Sequence, residues 1–152
     1  MLHHAEMGVI NVVDFRRMRE LIKAEERLYW ALQREQAKAT KITTSLSKSG
    51  GGGRGRTSSR VEDGAIALAI IREEYESLEA ELKAQRKELR KWLRKLTALQ
   101  RTILRMWYIE GYSCRRIADE MHSDISYMYK IISIAEGRVY QLQRNDDANK
   151  CQ

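Results

Sequence analysis

The chain has 152 residues, no proline, and 28 Lys and Arg against 21 Asp and Glu, a net charge of +7. That length accommodates one ordinary domain, or a small domain with an extended helical part, and the prevalence of Ala, Leu, Glu, Lys, Arg and Gln favours an all-α protein. No apolar run approaches the roughly 18 residues of a membrane span, the N-terminus lacks the basic start of a signal peptide, and Cys114 and Cys151 stand far apart without metal-ligand spacing, as reduced cytoplasmic thiols would.

Residues 1–10, with His3 and His4, are expected to be loosely ordered. Asn11 or Asp14 then caps a first helix over about 14–40, with Phe15, Met18, Leu21, Ile22, Leu28, Tyr29 and Leu32 forming an apolar stripe that weakens after Leu32. Residues 1–40 are therefore an N-terminal helical segment. Over 41–60 the periodicity stops. Gly50–Gly53, Gly55 and many Ser and Thr residues predict a flexible linker there. The glycine run is no phosphate loop, because no strand precedes it and no Gly-Lys-Ser/Thr follows.

Residues 61–96 predict the longest helix. Leu68, Ile71, Tyr75, Leu78, Leu82, Gln85, Leu89, Trp92 and Leu96 follow one another in steps of three and four, a heptad stripe with one polar intrusion. Such a stripe needs a partner. Either the first helix folds back along it as a hairpin, or it pairs with a second copy of the chain. In the second case Leu68, Ile71, Tyr75, Leu78, Leu82, Leu89 and Trp92 mediate self-association in a homodimer.

Charge is distributed unevenly. Residues 41–60 carry five bases and no acid, 61–82 carry one base and seven acids, 83–95 carry seven bases and one acid, and 96–143 carry six and five. A basic flank beside a nearly neutral head is what phosphate clamping would use.

That head, 97–143, reads as three short helices, with 144–152 left as a tail. Thr97 and Gln100 form a capping box for the first, and Gly111 marks its end. Ser113 caps the second, about two turns long, and Ser123 or Asp124 caps the third. Leu99, Ile103, Leu104 and Trp107, then Ile117, Ala118 and Met121, then Met128, Ile131, Ile132, Ala135 and Val139 supply the core. A short helix, a tight turn and a longer helix describe a helix-turn-helix. His122 falls in the turn, where left-handed backbone suits it better than most residues.

The run from Tyr108 to Val139 resembles the C-terminal DNA-binding region of bacterial sigma factors, and more closely the sigma-like phage transcriptional regulators of the ArpU type. Tyr108, Glu110, Gly111, Tyr112 and Ser113, the Ile117–Ala118 pair, and Met128, Ile131 and Ala135 carry the resemblance. Arg116 stands where that family usually has an acid, and His122 where it often has Gly. The resemblance implies a phage or prophage regulator in the bacterial cytoplasm, binding double-stranded DNA and contacting host RNA polymerase like a partial sigma factor. It implies that Ile125, Ser126, Tyr127, Tyr129 and Lys130 touch bases and nearby backbone.

Arg115 and Arg116 lie in the first turn of the second short helix, where the macrodipole disfavours cations. Phosphate would supply the missing anion there, with Ser113 beside them. Cys114, at the same helix start, is a position for a lowered thiol pKa, but no His or Asp stands at motif spacing. Trp30, Trp92 and Trp107 are expected to be core or helix-packing residues. No nucleophile, base and oxyanion donor assemble, so the chain is read as a non-enzyme, and no cofactor or metal is implied. Two further readings fit the pattern: a small-terminase-like DNA-packaging component, and an adaptor whose helix-turn-helix binds protein.

Overall fold

A computed structural model describes residues 12–48 and 56–151, and every regular element among them is a helix. α1 spans Phe15–Lys48, α2 Arg56–Leu93, α3 Ala98–Leu104, α4 Cys114–Glu120 and α5 Ile125–Lys150; a π-helical turn, Arg105–Ile109, extends α3. The all-α expectation holds. None of these helices is long and apolar enough to cross a membrane.

Several boundaries differ from the sequence reading. α1 continues eight residues past 40, because 41–48 contains no Gly or Pro to stop it. Thr40 and Thr44 donate their hydroxyls to the carbonyls of Gln36 and Thr40, at 3.0 and 2.9 Å, so they stay in the helix. α2 likewise begins at Arg56 rather than 61. Of the linker expected over 41–60, 41–48 and 56–60 are helical. Positions 49–55, with the glycine run, lie outside the described residues, as do 1–11 with His3, His4 and Asn11. Of the expected tail, 144–150 are helical, since α5 runs on to Lys150, whose ammonium meets Asp146 at 2.6 Å across one turn.

The chain divides into two compact units, Arg19–Leu82 and Met1–Met18 with Lys83–Gln152. In the first, burial and the nearby Glu25 carboxylate raise the Tyr75 phenol above its ordinary pKa, with smaller contributions from Glu79 and Tyr29. Tyr29 stands twenty residues before position 49 and Tyr75 twenty after 55, the register of two helices folded back antiparallel. Leu68, Ile71, Tyr75 and Leu78 are half-buried, and Tyr75 lies near Glu25 and Tyr29 of α1. Trp30 lies outside any core, 58 % exposed, with its ring edge-on to Tyr29 on the same helix.

In the second unit the stripe of α2 is covered. Gln85, Leu89, Trp92 and Leu96 are all buried, and Leu82, which closes the first unit, is buried too. Leu82, Leu89 and Trp92, three of the positions expected to mediate self-association, are thus buried already in the single chain. Gln85 is not a packing defect. Its Oε1 accepts the Asp14 amide at 3.1 Å and its Nε2 donates to the Val12 carbonyl. Gln143 of α5 does the same for Val13, accepting its N–H at 2.6 Å and donating to its carbonyl at 3.2 Å. The Tyr140 hydroxyl accepts from the Phe15 amide at 3.0 Å, and Asp14 caps α1 by accepting from the Arg17 amide at 3.0 Å. Two buried amides and one phenol thus hold the backbone leading into α1, and Phe15 fills the space between the Tyr108 and Tyr140 rings.

Candidate nucleic-acid interface

The candidate interface is built on α3, α4 and the first two turns of α5, all within the second unit. Thr97 opens α3 by accepting the Gln100 amide at 3.3 Å. Arg101 reaches back to the carbonyls of Leu93 and Leu96 at 3.0 and 3.2 Å, closing the end of α2. Ile103 and Leu104 are fully buried as expected, whereas Leu99 is exposed and Trp107 half-buried. Tyr108, which the core pattern passed over, has no exposed surface; its hydroxyl bonds the Glu136 carboxylate and its carbonyl accepts from Arg86 Nε at 2.8 Å.

The π turn inserts one residue, so the chain reverses at Gly111 (φ 71°) with the Tyr112 amide reaching the Met106 carbonyl six residues back. Only glycine takes that backbone without strain. Ser113 then caps α4, its Oγ accepting from the Arg116 amide at 3.2 Å.

α4 ends in a Schellman closure centred on His122. The His122 amide bonds the Asp119 carbonyl at 3.2 Å and the Ser123 amide the Ala118 carbonyl at 2.9 Å. His122 has φ 50°, the left-handed conformation expected of it. His122→Gly should therefore raise stability by about 0.5–1 kcal/mol, the strain relieved less the entropy that glycine adds to the unfolded chain. A thermal melt checks this; a lower midpoint would mean the imidazole holds the turn through contacts of its own.

Asp124 stands at the start of α5 by backbone geometry but makes no side-chain cap bond. Met128, Ile132, Ala135 and Val139 turn inward and are buried, while Ile131 is half-buried. This fixes the rotation of α5. Ile125, Ser126, Tyr127, Tyr129 and Lys130 all emerge exposed on its first two turns. Ser133 is exposed too and extends the Ser126–Lys130 face by another turn; the spacing i, i+4, i+7 was the signal for it.

The exposed set is not uniform. Tyr129 leans edge-on against Trp107, ring centroids 6.0 Å apart, so it braces the head while remaining half in solvent, and the Cys114 thiol donates to the Ile125 carbonyl at 3.8 Å. Cys114 itself is buried, and burial raises its thiol pKa despite the neighbouring Tyr129, which lowers it. A lowered value at this helix start does not arise, because burial of the thiol disfavours its thiolate.

On α4, Arg115 and Arg116 are both exposed. The Arg116 guanidinium lies 3.7 Å above the Tyr112 ring centre, a cation–π contact that holds its charge beside the start of α4. In the sequence Tyr112 stands out only as part of the turn, and its contact with Arg116 has no signature in spacing. Arg115 makes no bond with any described residue. The Ser113 hydroxyl, as acceptor to the Arg116 amide, still has its proton to donate. Two cations, a hydroxyl and an exposed helix start thus lie on one head.

A family model matches residues 42–139, more than half of the chain, and so spans α2 and the whole head as far as Val139. No curated protein and no solved structure matches the sequence. The chain belongs to the family described as protein of unknown function DUF1492.

Proposed function

We propose that the protein is a sequence-specific DNA-binding regulator of phage or prophage genes, in which α4 and α5 act as a helix-turn-helix and the start of α5 enters the major groove. The observation that carries this reading is the exposed start of α5, where Ser126, Lys130 and the apolar Ile125 and Tyr127 have no competing task in the described chain. A helix presenting donors and methyl-sized apolar groups at its N-terminal end is the usual reading element of a helix-turn-helix. Lys130 donates to guanine O6 or N7, Ser126 bonds several base edges, and Ile125 or Tyr127 touches a thymine methyl. Arg115, Arg116 and Ser113 take phosphates, which set register without reading sequence. The sigma-like resemblance extends the proposal to RNA polymerase, beside which such a head would sit at a promoter.

The test is selection from a random duplex pool by the full chain. A recurrent short motif bound at least a hundredfold tighter than random duplex is the expected outcome. Duplex binding without any motif, by a ring larger than a dimer, would favour a packaging component. No duplex binding at all would favour a protein-binding adaptor.

A further inference from the structure

We propose that Lys83, Lys87, Arg90 and Arg94 form a second phosphate-binding ridge, which grips the backbone of the duplex that α5 reads; this rests on the DNA-binding reading above. The four stand at i, i+4, i+7 and i+11, so they share one side of α2 and its first following residue, opposite the buried Gln85, Leu89 and Trp92. All four are exposed, and none of the four side chains makes an ion pair or hydrogen bond with a described residue; Arg94 takes part only through its carbonyl, which accepts from Arg101 at 3.5 Å.

Their basic neighbours differ. Lys91 pairs with Glu88 at 2.7 Å, Lys95 lies 4.7 Å above the Trp92 ring, and Arg86 and Arg101 bond backbone carbonyls. The cations that fold the unit are thus distinct from the four that do not. Glu88, the one acid between 83 and 95, is already engaged, so the ridge has no internal counter-charge. The macrodipole favours Arg90, in the last turn, but does not account for Lys83, because that attraction fades within the last turn and Lys83 lies ten residues before the helix end at Leu93. Like charges three and four residues apart repel, and a polyanion relieves that repulsion.

The dimensions suit a duplex backbone. Eleven residues of helix span about 16 Å, and one DNA strand presents a phosphate about every 3.4 Å of axis, so the ridge lies along roughly five. It belongs to the same compact unit as the reading head. Two contacts link them: Arg86 to the Tyr108 carbonyl, and Trp107, next in sequence, to Tyr129 on α5.

The experiment is salt-dependent binding of the full-length chain and of the Lys83→Gln, Lys87→Gln, Arg90→Gln, Arg94→Gln variant to one random and one selected duplex. Four lost phosphate contacts should flatten the slope of log affinity against log salt by about 3.6. Between 50 and 200 mM salt the wild type would then lose about a hundredfold more affinity than the variant on both duplexes. Exchanging Lys for Arg and Arg for Lys at the four positions should restore the slope, and the far-ultraviolet circular dichroism of both variants should match the wild type. A slope changed by less than one unit in the folded variant overturns the ridge. If Lys130→Ala still relaxes sequence preference in that case, the reading of α5 survives alone. A wild type that binds no duplex overturns both.

Discussion

Leu82→Ala combined with Leu89→Ala should unfold the protein rather than alter its association state. Both side chains have no exposed surface in the single chain. Each truncation of a buried leucine costs about 2–5 kcal/mol, through lost transfer energy and the cavity left behind. The two sites are seven residues apart on one helix face, so their costs should nearly add. A total of about 4–10 kcal/mol is comparable to the whole stability of a domain this size. The expected result is loss of the cooperative urea transition and of most helical ellipticity at room temperature. Leu68→Ala with Leu78→Ala serves as the control, since those positions are half-buried and should cost clearly less. If the Leu82/Leu89 variant unfolds like the wild type but sediments as a lighter species, the α2 stripe is intermolecular and the burial described above does not persist in solution.

Gln143→Leu should be the most damaging single polar substitution. Gln143 is buried, and its amide satisfies both the N–H and the carbonyl of Val13, a residue with no exposed surface. Leucine fits the volume but offers neither donor nor acceptor. Two buried backbone groups would be left without partners, at about 1–3 kcal/mol each. A loss of about 2–5 kcal/mol in urea unfolding is expected, together with markedly faster amide exchange at Val13, where the bond is removed. A loss below 1 kcal/mol would mean that the segment before α1 takes other partners without penalty.

Much of the head was legible because its signals are local. Gly111, Ser113, Thr97 and His122 each do what their backbone chemistry dictates, and periodicity identified Met128, Ala135 and Val139 as core. The heptad stripe of α2 was legible as a buried face, but its partner was not. Periodicity reports that a face is covered without saying by what, and Leu82 and Leu89 prove to be covered within the chain. Helix ends were misjudged where Ser and Thr suggested a loop, because Thr40 and Thr44 satisfy their hydroxyls on the preceding turn. Gln85 and Gln143 were unreadable as clamps: each acts on backbone more than 70 residues away in sequence, and no spacing rule links them. The contacts of Arg116 with Tyr112 and of Tyr129 with Trp107 are likewise products of packing.

The most direct measurement compares Lys130→Ala and Arg115→Ala with the wild type on a selected duplex, its single-base variants and random duplex, at several salt concentrations. Lys130 stands on the exposed start of α5 and Arg115 on α4, so the two should fail differently. Lys130→Ala should cost about 1–3 kcal/mol at particular base pairs and leave random duplex nearly unaffected. Arg115→Ala should weaken all duplexes alike and flatten the salt slope by about one unit. Unchanged affinity, preference and salt slope in both variants would contradict DNA reading by this surface and transfer the head to a protein partner.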